Sequence, residues 1–402
     1  MKSKYKKVYF VVLTTYQLFI SDAYARYINE KYSDTDIILF TVGLNTRQFN
    51  TEGRYQIVSV PDLNRSKGRR IWQRLYWSGR LFACSPLAEY FKHLSECHLF
   101  VFNDNEPISN KLMRITHKGR HNSISIIEEG IGIYEITQLS GRKLNARQLF
   151  RYAVTWILGS PMQYKAVGEN KMIKNAVVSD VELFCKLDKA KGKTVLFQDK
   201  RALYRRADGF LARNNLRCDG YEEYETLYLG QPLNETGTMS SGEEDYILFL
   251  LKDIGKVLIK PHPREQMDKY DELVQKNSNI KILDGDIALL PLECLLSVLH
   301  VKILISFNSS AGVNLAKANP DITSIFTYDM PESRKFLEQW NNGYAEMNRN
   351  LFQSADHNLM VPSSYHEYLD FIINTKSHSG QQGDGHAETK STLEEIDHIM
   401  NQ

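Results

Sequence analysis

Three short stretches of this chain put chemically capable residues at what reads as the end of a strand. Glu128-Glu129-Gly130 follows the apolar run Ser123 to Ile127. Side chains alternate along an extended backbone, so two adjacent carboxylates point different ways, and the glycine behind them lets the chain turn sharply. Such a pair is either a solvated acidic turn or one carboxylate held in a cleft as a general base. Val257-Leu258-Ile259-Lys260 runs into Pro261-His262-Pro263. Each proline fixes its own φ and restricts the residue before it, which leaves His262 little backbone freedom. Ser309 and Ser310 stand where a helix should begin after the strand Lys302 to Ile305. Small hydroxyl residues there cap the free N–H groups of the helix and also make a seat for an anion.

Each stretch needs a parallel sheet to position it. Val8 to Leu13 is a continuous apolar and β-branched run, as expected of a strand buried on both faces. A helix to near Lys31 and a strand Asp34 to Phe40 complete a β-α-β opening without a GxGxxG dinucleotide fingerprint. Strands follow at Ile57 to Val60, Leu99 to Phe102 and Ser123 to Ile127, with Pro107 in the first turn of a helix. Leu149 to Leu158 reads as helical, and Thr194 to Gln198 as a strand. A second series opens at Thr226 to Leu229, ends in Gly230-Gln231-Pro232, and continues through Val257 to Lys260, Ile280 to Leu283, Lys302 to Ile305 and Thr323 to Thr327. Helical sequence around Tyr365 to Ile373 is expected to pack back across the first domain. Ligands in such sheets sit at the carboxyl ends of the strands.

At 402 residues the chain exceeds what one core normally supports, so two domains are expected. We place them at 1–205 and 206–375, followed by a weakly ordered tail at 376–402 rich in Gly, Ser and Gln, within which 390–402 forms one last helix or nothing. A net charge of +2, with no aromatic-basic module, argues against a nucleic-acid binder. Five widely spaced cysteines without a CxxC suit a reducing compartment and indicate no disulfide framework or zinc knuckle. The basic, then apolar, N-terminus mimics a signal peptide, but the apolar run is short and reads as the first strand.

Taken in order, Glu128-Glu129-Gly130, His262-Pro263 and Ser309-Ser310 on two successive α/β domains resemble the bacterial GT-B sialyltransferases. The likeness is greatest to those of lipooligosaccharide and capsule synthesis, the polysialyltransferases included. The resemblance implies an α/β fold of two Rossmann-like domains facing across a cleft. It implies that the acidic pair supplies the general base on the acceptor side; the pattern leaves Glu129 and Glu128 both open, and we prefer Glu129. It further implies that His262 meets the CMP phosphate as acid or hydrogen-bond donor, and that the serine pair holds the same phosphate. Gly130, Gly230, Gln231, Lys260 and Pro263 are expected to line the donor side.

The expected reaction is inverting transfer of sialic acid from CMP-sialic acid to a galactoside or sialoside hydroxyl, on a bacterial surface polysaccharide or lipooligosaccharide. No cofactor is expected. Asp284-Gly285-Asp286 has the D-x-D spacing of metal-dependent transferases but reads as a polar turn, and a donor with one phosphate has less need of a bridging cation. A cytoplasmic enzyme is expected. Acceptors that mature on a membrane would bring it to the inner face, with the basic stretch Arg65 to Arg70 as the contact. A GT-B transferase using a UDP- or GDP-sugar, and an inactive glycan-binding protein of the same fold, are the competing readings.

Overall fold

The computed structural model describes residues 3–46, 49–62, 70–79, 81–92, 95–134, 166–214, 216, 220–235, 238–239, 242–296, 298–337, 358–378 and 393–401. The expected helix at Leu149 to Leu158 and the basic residues 65–69 lie outside them. The chain divides into two compact units, Met1–Asp199 with Thr392–Gln402, and Lys200–Ser391.

The first unit is built on seven strands: β1 Lys7–Val12, β2 Asp36–Val42, β3 Gln56–Val60, β4 Cys97–Val101, β5 Ser123–Ile127, β6 Asn175–Val178 and β7 Thr194–Phe197. Their order is β3-β2-β1-β4-β5-β6-β7, and every neighbouring pair is parallel. Val8 to Val12 is fully buried, as its unbroken apolar sequence demands of a central parallel strand. Phe10 of β1 stacks on Phe100 of β4, with ring centroids 4.7 Å apart. The helix Thr15–Lys31 packs on this strand, and its Leu18, Phe19, Ile20 and Tyr24 are all buried.

The second unit repeats the plan with β8 Thr226–Leu229, β9 Val257–Lys260, β10 Ile280–Ile282, β11 Ile303–Ser306, β12 Thr323–Phe326 and β13 Leu359–Met360. The order is β10-β9-β8-β11-β12-β13, again parallel throughout. The helix Ser310–Ala318 lies close on this sheet because Gly312 has no side chain; a Cβ there would come within 2.8 Å of the Phe326 ring. Ser324 Oγ also donates to the Gly312 carbonyl at 2.9 Å.

One expectation is corrected and one open choice is decided. The helix Tyr365–His378, expected to pack on the first domain, belongs to the second unit. Its Tyr365 and Tyr368 hydroxyls donate to the Phe249 and Leu250 carbonyls at 3.1 and 3.0 Å. Of the two alternatives for 390–402, the helix is the one formed: Glu394–Asn401 is a packed helix of the first unit. Leu393, Ile396, Ile399 and Met400 recur at helical spacing and are fully buried, a stripe that the average composition of the tail conceals.

Candidate active site

In the first unit the expected residues lie at the carboxyl end of β5, and the two carboxylates part as alternation requires. Glu128 turns inward and is 1% exposed. It accepts from the Tyr134 hydroxyl at 2.5 Å, the Ser179 N–H at 2.5 Å and the Ser179 hydroxyl at 2.8 Å. It thus ties the turn after β5 to the end of β6. Gly130 carries the chain into the turn Ile131–Tyr134 that delivers that hydroxyl.

Glu129 is half-buried and faces the end of β1. Its Oε1 accepts from Thr14 Oγ1 at 2.8 Å and its Oε2 from Gln17 Nε2 at 2.6 Å. Both donors are themselves fixed. Thr14 is the N-cap of the helix Thr15–Lys31, and its hydroxyl oxygen accepts the Gln17 N–H at 3.2 Å. The Gln17 amide oxygen takes the Leu13 N–H at 2.7 Å, so its NH2 can only face the carboxylate. Since β4 lies between β1 and β5 in the sheet, this contact reaches over the end of β4. Among the two acids, Glu128 has a structural post and Glu129 is the one presented at the strand ends.

In the second unit, Gly230 and Gln231 follow β8, Lys260, His262 and Pro263 close β9, and Ser309 and Ser310 follow β11. These strands are adjacent, so all seven residues lie along one edge of the sheet, at the reversal of strand order between β8 and β11. The Gln231 side chain spans that reversal. It donates to Asn308 Oδ1 at 2.9 Å and accepts the Asn308 N–H at 2.8 Å, holding the loop before Ser309 in place.

His262 sits in a reciprocal cap. Its Nδ1 accepts the Arg264 N–H at 3.1 Å, and the Glu265 N–H donates to its carbonyl at 2.9 Å. The His262 N–H in turn donates to the Glu265 carboxylate. With Nδ1 used as an acceptor, the proton of the neutral ring sits on Nε2, the nitrogen left to meet a ligand. Burial, helped by the cations Arg264 and Lys260, pushes the imidazole down to about 4, so the ring is neutral near pH 7.

Glu265 is fixed from behind. Its side chain is fully buried and accepts from Tyr270 at 3.0 Å, and it pairs with Lys269 at 2.7 Å. Lys269 also pairs with the buried Glu243 at 2.7 Å, and Glu243 accepts the Asn234 N–H at 3.0 Å. Gly230 is required by this packing, because a Cβ there would run into the Glu265 carboxylate and the Tyr270 hydroxyl.

Three of the expected donor-side residues differ in burial. Lys260 is buried, and its ammonium donates to the Ala288 carbonyl at 2.8 Å. Burial pushes it down to about 8. Ser309 occupies the N-cap position of the helix Ser310–Ala318 without a side-chain capping bond. Pro263 is exposed. Asp284 of the D-x-D stretch accepts the Tyr221 hydroxyl at 2.9 Å. Thr14, Gln17, Glu265 and Lys269 were not singled out from sequence, although Thr14-x-x-Gln17 is a capping-box pattern and His262-x-x-Glu265 repeats its spacing.

A family model described as alpha-2,8-polysialyltransferase (POLYST) matches residues 9–328. The chain belongs to this family. It is therefore a glycosyltransferase, and the two parallel-sheet units are those of the GT-B fold. A solved UDP-N-acetylglucosamine 2-epimerase from Listeria monocytogenes is similar in fold, with 10% identity, a TM-score of 0.52, and coverage of 94% of this chain and 89% of that one. A sialyltransferase from Photobacterium damsela aligns with 11% identity and a TM-score of 0.47, over 89% of this chain and 81% of that one. The E. coli heptosyltransferase WaaC with ADP aligns with 11% identity and a TM-score of 0.45, over 92% and 99%. Comparison with curated proteins finds none that matches. For this polysialyltransferase-family chain, all three motifs fall inside the matched span.

Proposed function

We propose that this glycosyltransferase moves sialic acid from CMP-sialic acid to a hydroxyl of a bacterial surface polysaccharide or lipooligosaccharide, with inversion and without a metal. One observation carries the reading: the polysialyltransferase family model runs from 9 to 328 and takes in the acidic, histidine and serine motifs together.

In this reading Glu129 removes the proton of the acceptor hydroxyl as its oxygen attacks the anomeric carbon. The bond from that carbon to the phosphate oxygen breaks, and its electron pair leaves with CMP. Negative charge grows on the phosphate, where the Nε2–H of His262 donates a hydrogen bond. The hydroxyls of Ser309 and Ser310 and the amide end of the helix Ser310–Ala318 add further donors. A single displacement gives inversion. Glu128 and Glu265 act through others, the first holding the turn after Glu129 and the second holding the backbone of His262. A galactoside or sialoside acceptor, a cytoplasmic site of action and contact with the inner membrane face complete the proposal.

The test is turnover of CMP-sialic acid on an array of galactosides and sialosides, beside thermal unfolding with CMP, UDP or GDP. Product with CMP-sialic acid and stabilisation by CMP are expected. Stabilisation confined to UDP or GDP would overturn the choice of donor, and glycan binding without turnover would favour a binding protein.

A further inference from the structure

The helix Arg70–Trp77 of the first unit carries Trp72 and Tyr76 one turn apart, with Trp77 next to them. The Tyr76 and Trp77 rings meet edge to face, with centroids 5.4 Å apart. Trp72 is 71% exposed and Leu81 42%. Leu81 is folded back on the helix by its N–H, which donates to the Leu75 carbonyl at 2.9 Å. Trp72, Gln73, Tyr76, Trp77 and Leu81 line one shallow depression, in which Gln73 is the one amide. The patch stands on a firm base, because Lys111 Nζ donates to the Gly79 carbonyl at 3.1 Å and lies 5.1 Å from the centre of the Phe82 ring.

Single exposed apolar residues are ordinary, but here an exposed tryptophan adjoins further aromatics and a leucine. The charge of the surrounding sequence says what could cover them. From Leu63 to Ala88 the chain has six Arg and Lys residues and no Asp or Glu. Arg70 and Arg74 are on the helix itself. Indole and phenol rings settle at the headgroup level of a bilayer, and neighbouring cations are drawn to anionic lipid phosphates. The lining carries the Gln73 amide, the Tyr76 hydroxyl and the indole N–H groups of Trp72 and Trp77, and it is the run of cations without acids that favours an anionic lipid surface over a neutral sugar. Among the described residues no helix is long and apolar enough to cross a membrane.

We propose that the face formed by Trp72, Tyr76, Trp77 and Leu81 docks on an anionic membrane surface. This deepens the membrane contact proposed above and does not depend on which sugar is transferred.

The test is co-sedimentation of the full chain with vesicles of phosphatidylcholine alone or with about 30 mol% phosphatidylglycerol. Binding about tenfold tighter to the anionic vesicles is expected, falling as NaCl rises from about 0.1 to about 0.5 M. The double variant Trp72→Ser/Leu81→Ser should lose binding about fivefold or more, and Arg70→Gln/Arg74→Gln should lose the preference for anionic lipid. Transfer to a soluble acceptor without lipid should stay within about twofold of the parent in both variants, because neither changes a residue of the three motifs. Equal binding to both vesicles, or undiminished binding by the Trp72/Leu81 variant, would overturn the proposal. Should that variant fail to fold, brominated acyl chains decide, read as the quenching lost when the exposed Trp72 alone is replaced in Trp72→Tyr. A loss supports docking through this face, and unchanged quenching on bound vesicles overturns it. Failure of the transferase reading would appear separately, as no turnover of CMP-sialic acid on soluble acceptors.

Discussion

Thr14 Oγ1 lies 2.8 Å from Glu129 Oε1 while capping the helix that begins beside it, so one hydroxyl fixes both the helix start and the carboxylate. Gln17 completes the hold on the other oxygen at 2.6 Å. The base of the proposed reaction is therefore set by the end of β1 as much as by its own strand.

The neighbouring acids should separate cleanly on substitution. Glu129→Gln should lower kcat by about 10²–10⁴-fold with little change in melting temperature. Glu128→Gln puts an amide where three donors converge, and should cost about 1–3 kcal/mol of stability. Turnover beside thermal unfolding checks both. A Glu128→Gln protein that is fully stable but inactive would reverse the two assignments.

His262 should be neutral in the free enzyme across the physiological range. With its pKa pushed down to about 4, its ring resonances should shift with a midpoint well below the ordinary 6.5. Bound CMP should raise that midpoint, because the phosphate favours the charged ring. An NMR titration of the free and CMP-bound protein measures both; a midpoint above 7 without ligand would exclude the neutral ring.

Behind the histidine, Lys269 faces two buried carboxylates, Glu243 and Glu265. Glu265→Gln leaves one cation against one anion and should be tolerated structurally. It should still weaken CMP binding by about tenfold, because the acceptor for the His262 N–H becomes weaker. Lys269→Met leaves two buried carboxylates unneutralised and should cost about 3–5 kcal/mol. Calorimetric CMP binding and denaturant unfolding rank the variants; a Lys269→Met protein as stable as Glu265→Gln would contradict this account.

Two buried groups give the first unit opposite responses to pH. Burial pushes His98 down to about 3, where its ring packs 4.9 Å from Tyr5 and its Nε2 lies 2.8 Å from Ser125 Oγ. The unfolded chain takes up this proton first, so stability present above the ordinary 6.5 is lost as pH falls toward about 3, at up to about 1.4 kcal/mol per pH unit. Burial raises Glu395 to about 7. Its contribution is complete below the ordinary 4.5 and is lost as pH rises through about 7. Hydrogen exchange at 394–401 should accelerate between about pH 6 and about pH 8.5 beyond the intrinsic base-catalysed rise, and Glu395→Gln should remove the excess.

Much of the fold was legible because buried parallel strands are written as unbroken apolar runs. β5 and β8 fall on the residues expected from sequence alone. β6, only Asn175–Val178, was not seen; its polar first residue is buried because Asn175 Nδ2 donates to Ser125 Oγ at 3.0 Å. The partner of the helix Tyr365–His378 was equally hidden, since its apolar residues do not say which unit they will cover. The strand ends that carry the three motifs were legible, and the contacts that set Glu128 apart from Glu129 were not. Glu128 is held by Ser179 and Tyr134, and Glu129 by Thr14 and Gln17, 115 and 112 residues away. The cap spacing of Thr14-x-x-Gln17 was the signal that could have pointed to the second pair.

Tyr24 OH donates to Glu395 Oε1 at 2.9 Å, and 371 residues of chain separate the two. The first unit's sheet is complete only once β7 ends at Phe197, and at about 5–20 residues per second a ribosome needs about 10–40 s to go from there to Glu395. Through that interval the nascent first unit has its sheet and its long helix but not the Ile396, Ile399 and Met400 that seal it, and the whole second unit is made in the meantime. A growing chain of this protein therefore holds an open apolar seat for about 10–40 s, until the closing helix arrives.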